Sequence, residues 1–418
     1  MSEVVAIYGD ALLDPASGET TRNAAVVIED GRVVRTGSRD QVAVPQDARV
    51  IDAAGLTLLP GLIDTHVHLR SRGNGRDYGE QLNTPASLYI LNAVPAARAT
   101  LEAGFTAVRD AGGTPAGVKM AIDRGVVPGP RMKVAVTALS QTGGHTDGHF
   151  MCGATLTPTL PDIPPSVVDG VEPMRRRVRE VIRAGADWIK LCTSGGVLSP
   201  NDDPHHPTLT VEEITAACEE AGAQGRKVMA HAQAAEGIKN ALLGGVSTIE
   251  HGIWIDDDAM EMMLDGGQTL VPTLVAPVWV LRHAENGRMP AWATEKARIV
   301  RDDHHENVRR AIEAGVRVAF GTDTGVGPHG SNGEELLVMQ QLGLDALACI
   351  RSATTLAAET VGWDGEVGTL APGAWGDVIG VPGDPLDHLE LLARAESVQL
   401  VVKGGEVVKD RAAVGGFR

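Results

Sequence analysis

Lys227-Val228-Met229-Ala230-His231 is a short, mostly apolar run that ends on an imidazole, and Ser247-Thr248-Ile249-Glu250-His251 is a second strand-length run with the same ending. Between them, Ala234–Leu243 has helical spacing and stops at Gly244-Gly245, a helix C-cap signal. The stretch therefore reads as strand, amphipathic helix, strand. Working outward, the same alternation predicts further strands at Leu62–His66, Thr106–Arg109, Lys133–Thr137, Asp187–Leu191, Thr269–Pro272 and Arg317–Gly321. Helical stretches at Ala86–Ala103, Glu172–Ala184, Val211–Gln224, Asp256–Leu264, Trp292–Ala314 and Glu334–Leu342 separate most of them. Eight strands with intervening helices specify an α/β fold, a (β/α)8 TIM-like barrel rather than a doubly wound sheet.

The ends have another texture. Short β-prone runs occur at Val4–Tyr8, Ala24–Ile28, Val33–Thr36 and Thr57–Leu59, and again at Val378–Val381, Val398–Val402 and Glu406–Val408. We expect residues 1–59 and 367–418 to form one small composite β-sandwich domain around a barrel of residues 60–366.

The chain has 418 residues, 43% hydrophobic and 22% charged, which indicates a soluble globular protein. A formal charge of −17 with no basic cluster argues against nucleic-acid binding. Arg175-Arg176-Arg177 sits among Glu172 and Glu180 and reads as a solvated helix face. No signal peptide is apparent in Met1–Asp10, so none is expected, and no apolar segment approaches the ~20 residues of a membrane span. Cys152, Cys192, Cys218 and Cys349 are widely spaced, so free thiols in a reducing cytoplasm are expected. Cys192 shares a strand face with Lys190 and is read as packing, with a reactive thiol as the alternative.

Candidate ligands stand at strand ends. His66 and His68, one residue apart in Leu62-Ile63-Asp64-Thr65-His66-Val67-His68, project from one strand face. His231 and His251 end consecutive strands, each followed by a small residue. Asp323 closes the last strand in Gly321-Thr322-Asp323. Imidazoles with a carboxylate suit a divalent cation. Lys190, at the end of Asp187-Trp188-Ile189-Lys190, is either an ordinary strand-terminal lysine or a neutral amine that captures carbon dioxide. The resulting carbamate would bridge two metals. Asp323 could bind one metal and take a proton from water between them, because metals lower the pKa of water from ~15.7 towards ~7.

Pro60–Leu69, Lys190, His231, His251 and Gly321–Asp323 resemble the amidohydrolase superfamily, in its binuclear subgroup with a carboxylated lysine. Val367–Val378 is similar to the superfamily's re-entry into the terminal β-domain. The resemblance implies that His66, His68 and Asp323 hold the more buried metal and His231 and His251 the other. Lys190 would join them, Asp323 would be the general acid/base, and zinc is the expected ion. It also implies a homo-oligomer.

Ser194–His206, Gln141–His149 and Pro328–Leu336 resemble the imidazolonepropionase-related branch that contains Xaa-Pro dipeptidases (prolidases), dipeptide carboxypeptidases and ochratoxin-type amidases. The implied reaction is cleavage, by metal-activated hydroxide, of a small-molecule amide or dipeptide whose leaving amine carries a carboxylate. His145 could bind that carboxylate or the carbonyl oxygen, or merely stabilise its loop. Gln233 stands where carboxypeptidase relatives place an aromatic residue, which favours prolidase-like chemistry. His149 and Arg282, and beyond them His205, His206 and His283, are further candidates for substrate contact. Two other readings compete: a cyclic-amide, lactone or phosphoester hydrolase on the same centre, and a non-catalytic scaffold. The ligand set is complete, which speaks against the scaffold.

Overall fold

The computed structural model describes residues 4–156, 160 and 162–411. Strands β1 (Val4–Leu13), β2 (Thr20–Glu29), β3 (Arg32–Ser38) and β4 (Arg49–Pro60) precede the barrel strands β5 (Leu62–Val67), β6 (Phe105–Asp110), β7 (Arg131–Val134), β8 (Ala138–Leu139) and β9 (Trp188–Cys192). Then come β10 (Lys227–Ala232), β11 (Thr248–His251), β12 (Thr269–Val271) and β13 (Arg317–Val318) of the barrel, followed by β14 (Val378–Pro382), β15 (Leu400–Lys403) and β16 (Glu406–Asp410).

Strands from both ends of the chain share one seven-stranded sheet in the order β16-β15-β14-β4-β1-β2-β3. Alternate residues such as Val5 and Ile7, or Val26 and Ile28, bury one face in a common apolar cluster with Leu58, Val378 and Leu400. β4 runs antiparallel to β14 and hands the chain through Gly61 into β5. Arg131 of β7 grips Asp377 through two hydrogen bonds of 2.9 and 3.0 Å. Its guanidinium also lies over Trp375 at 3.7 Å, so the re-entry stretch is held against the barrel.

Strands β8 to β13 pair in order in one sheet, and β5, β6 and β7 in another; within each sheet the pairing is parallel. β7 and β8 together make the third barrel strand, broken where Val136 takes a left-handed φ of 64°. Asp187 N donates to Val134 O at 2.8 Å, which joins this strand to β9. The eighth strand is regular only at Arg317–Val318, short of the expected Gly321. Its continuation nevertheless closes the ring: Thr65 N donates to Phe320 O at 3.1 Å, Asp323 N to His66 O at 2.7 Å and His68 N to Thr324 O at 2.7 Å.

The expected helix at Ala86–Ala103 is two helices, Ala86–Leu91 and Ala93–Glu102. Pro95, in the first turn of the second helix, has no N–H to offer the carbonyl of Leu91, so the first helix stops at Leu91. Helices at Ala116–Asp123, Val275–Glu285 and Thr355–Val361 went unforeseen. Val275–Glu285 opens as an apolar run with Pro277, which a helix tolerates in its first turn. Arg175, Arg176 and Arg177 pair with Glu219, Glu180 and Glu180 at 2.6, 3.1 and 3.0 Å, a charge-laced helix face. Among the described residues, no helix is long and apolar enough to cross a membrane.

Candidate metal centre

The side chains singled out at strand ends meet at the carboxyl ends of the barrel strands, where a barrel of this kind carries its chemistry. His66 sits 5.5 Å from His68 and 5.1 Å from His251, centroid to centroid, and His251 lies 4.6 Å from His231. Asp323 Oδ1 is 3.2 Å from His68 Nε2 and 3.8 Å from His66 Nε2. Lys190 Nζ is 3.5 Å from His66 Nε2. Ligand atoms of His66, His251 and Asp323 all fall within 4.8 Å of one another.

Each imidazole is oriented through its other nitrogen. His66 Nδ1 meets Glu250 Oε2 at 2.5 Å, His68 Nδ1 donates to Gly112 O at 2.8 Å, and His251 Nδ1 meets Thr273 Oγ1 at 2.7 Å. His231 uses Nε2 instead, 3.1 Å from Gly195 O, leaving Nδ1 free. Such outer contacts fix tautomers and leave one lone pair per ring for a cation. Burial, aided by the neighbouring cationic groups, pushes His231 and His251 well below the usual imidazole range and lowers His66 to about 4. Burial likewise lowers the Lys190 ammonium. Neutral imidazoles, a readily deprotonated amine and a carboxylate are a donor set that fits divalent ions.

Two of these positions are strained. His251 and Asp323 adopt left-handed backbones at φ 73° and 60°, as does Thr273 at 52°. Such conformations cost on the order of 1–3 kcal/mol each and persist where the surroundings hold them. Here His304 Nε2 bonds His251 O at 2.9 Å, and Asp323 N bonds His66 O at 2.7 Å. Asp64 completes the frame: it accepts from His66 N at 3.0 Å, Thr322 Oγ1 at 2.6 Å and Asn332 Nδ2 at 2.7 Å.

Glu250 and Arg109 were not anticipated as site residues. Arg109, fully buried, pairs with Glu250 Oε1 at 2.8 Å and donates to Thr65 O at 2.7 Å. Burial opposes ionisation of Glu250, but Arg109 and His66 outweigh it and hold the carboxyl down to about 2. An arginine that follows Phe105-Thr106-Ala107-Val108 in a fully buried strand was the available signal. Glu250→Gln is expected to weaken metal binding about 10–100-fold, read by titration against a chelator, because His66 loses its anionic partner. Unchanged affinity would remove Glu250 from that role.

The remaining candidates divide. His145 stacks on His231 at 4.1 Å and 13°, with Nδ1 on Ser199 Oγ at 2.7 Å. Lys296 secures that loop by binding Gly196 O, Ser199 O and Asp202 O. Gln233 is buried against the cavity with its Oε1 unpartnered. Both line a cavity of about 1150 Å³ together with the metal-ligand candidates. His149 is exposed and bonded to Thr155 Oγ1 at 3.1 Å. Arg282 is also exposed, paired with Glu334 at 2.6 Å outside the cavity lining. The structure does not bring these two into the site. His205 stacks on Trp254 at 3.9 Å, and His283 faces Val326 O at 3.2 Å. Burial pushes the Cys192 thiol up to about 12, which leaves it unreactive at neutral pH.

A parallel barrel with clustered imidazoles, a lysine and an aspartate at its carboxyl end defines the metal-hydrolase class. Residues 57–408 match the amidohydrolase family, to which the chain belongs. It is a hydrolase acting on amide C–N bonds. It is 34% identical to ochratoxinase of Aspergillus niger over 98% of this chain and 87% of that protein. Two solved structures are similar: a Xaa-Pro dipeptidase with methionine bound in its active site, and a prolidase complexed with N-methylphosphonate-L-proline. The first is 30% identical, covering 97% of this chain and 99% of that one, with a TM-score of 0.87. The second is 35% identical, covering 97% and 100%, with a TM-score of 0.90. Imidazolonepropionase of Symbiobacterium thermophilum is 26% identical over 96% of this chain and 95% of that protein.

Proposed function

We propose that this chain is a binuclear metal-dependent amidohydrolase that cleaves Xaa-Pro-like dipeptides or N-acyl amino acids. The observation that carries the reading is the convergence of His66, His68, Lys190, His231, His251 and Asp323 on one cavity. His66, His68 and Asp323 would hold one ion and His231 and His251 the other, with a carboxylated Lys190 between them. Divalent ions held there supply Lewis acidity, which polarises a carbonyl and acidifies water. Asp323 accepts the proton from the attacking water and returns it to the leaving amine. The proximity of His68 holds the Asp323 carboxyl below its usual range despite burial, so the group is in its ionised, proton-accepting form. His145, fixed by Ser199, offers its uncommitted nitrogen to the substrate, and Gln233, with its amide oxygen unpartnered, lines the same cavity.

The test is metal analysis joined to a substrate library. Chelation should abolish hydrolysis and zinc should restore it. Free L-Xaa-L-Pro or N-acyl-L-amino acids should be preferred over their C-terminal amides. Losing one charge-assisted contact costs about 1.5–3 kcal/mol, or roughly 10–150-fold in kcat/KM. Activity that survives metal removal would reject the reading. Cleavage of lactones or phosphodiesters but no peptide would move the assignment to another reaction on the same centre.

A further inference from the structure

We propose that Arg70 reads the α-carboxylate of the substrate and so determines specificity at this site; the inference rests on the reading that the leaving amine carries a carboxylate. Arg70 follows His68-Leu69 and lines the same cavity as His66, His68 and Asp323. Its backbone N–H is fixed on Thr114 Oγ1 at 3.2 Å. The guanidinium lies over the Tyr89 ring at 4.6 Å. Gly113 also abuts it: an added Cβ there would stand 3.0 Å from Nη2. The adjoining Gly112 carbonyl accepts from His68 Nδ1 at 2.8 Å, so the Gly112-Gly113 turn touches both the His68 ring and the Arg70 side chain.

Among the described residues, no carboxylate pairs with this guanidinium. Its Nε is buried without an acceptor. The carboxylate whose charge reaches it, Asp110, is already taken by Leu69 N at 2.9 Å, Gly112 N at 3.0 Å and Thr114 Oγ1 at 2.6 Å. Arg72 and Arg76, which line the same cavity, are engaged by Glu80 and by the Leu198 carbonyl. Arg282 is engaged by Glu334. A largely buried cation is ordinarily paired, because leaving water uncompensated is costly. An unpaired one that faces a substrate cavity awaits an anion, and the planar fork of arginine matches a carboxylate through two parallel hydrogen bonds.

The experiment compares wild type, Arg70→Met and Arg70→Lys on L-alanyl-L-proline and N-acetyl-L-phenylalanine, each against its C-terminal amide. Metal content and melting temperature are recorded for every variant. Wild type should favour the free acids by roughly 10–150-fold in kcat/KM. In Arg70→Met the acid and the amide should become nearly alike, with the loss mainly in KM for the acid. Arg70→Lys keeps the charge without the fork and should retain only part of the preference. Arg70→Met with wild-type metal content and an intact preference would overturn the assignment while leaving the proposed reaction standing. If Arg70→Met does not fold, an undiminished preference in Arg70→Lys overturns it instead. Wild type that cleaves none of the four compounds would sink the proposed reaction, and the role of Arg70 with it.

Discussion

Lys190→Ala is expected to lose most of its bound metal and nearly all activity, and to regain part of both with added short-chain carboxylic acids. Lys190 is 3% exposed, and its hydrogen-bond-distance neighbour is the His66 ring at 3.5 Å rather than a carboxylate. A permanent ammonium among buried imidazoles is unfavourable, so the amine is readily neutral. A neutral amine can form an N–C bond to carbon dioxide and release one proton, which leaves an anionic carbamate. Alanine removes that anion, and a small carboxylate fits the vacated space. Metal analysis and turnover with and without the added acid check this. A variant with its full complement of metal and wild-type turnover would reject the carbamate, as would high-resolution density for a bare amine turned away from bound ions.

Asp323→Asn should keep at least one metal yet lose kcat by several orders of magnitude. Proton transfer alone is worth ~10²–10⁴, and a carboxamide cannot accept the proton. The substitution is nearly isosteric, and asparagine tolerates the left-handed backbone found at this position, φ 60°. The contact of Asp323 N with His66 O at 2.7 Å involves the main chain and is preserved. Loss of activity therefore reports chemistry rather than collapse. Steady-state kinetics at saturating substrate, with metal content measured in parallel, would decide. Retention of more than about a tenth of kcat would mean that another group is the base.

The strand-ending histidines at 66, 231 and 251 were legible because each closes a β-prone run of strand length, and such runs are a local property of the chain. The same holds for Lys190 and Asp323. Helix stops such as Gly244-Gly245 were equally local, since a C-cap depends on a few consecutive residues. The lost regularity after Val318 and the break at Val136 were not legible, because no local residue pattern marks either of these main-chain features.

Period and punctuation in the sequence alone therefore determined the strand–helix alternation, the barrel class and the metal-ligand candidates. Tertiary structure decided which charges meet. Arg282 looked available in the sequence, yet it turns to Glu334 on the next helix across. Arg109 and Glu250 stand 141 positions apart and pair only because their strands converge in the barrel interior. Arg70 carries no sequence mark that separates it from Arg72 or Arg76. Its lack of an anion appears only once Asp110 is seen to be committed elsewhere. The pairing of buried charges depends on through-space distance and desolvation, and neither is encoded in any short stretch of chain.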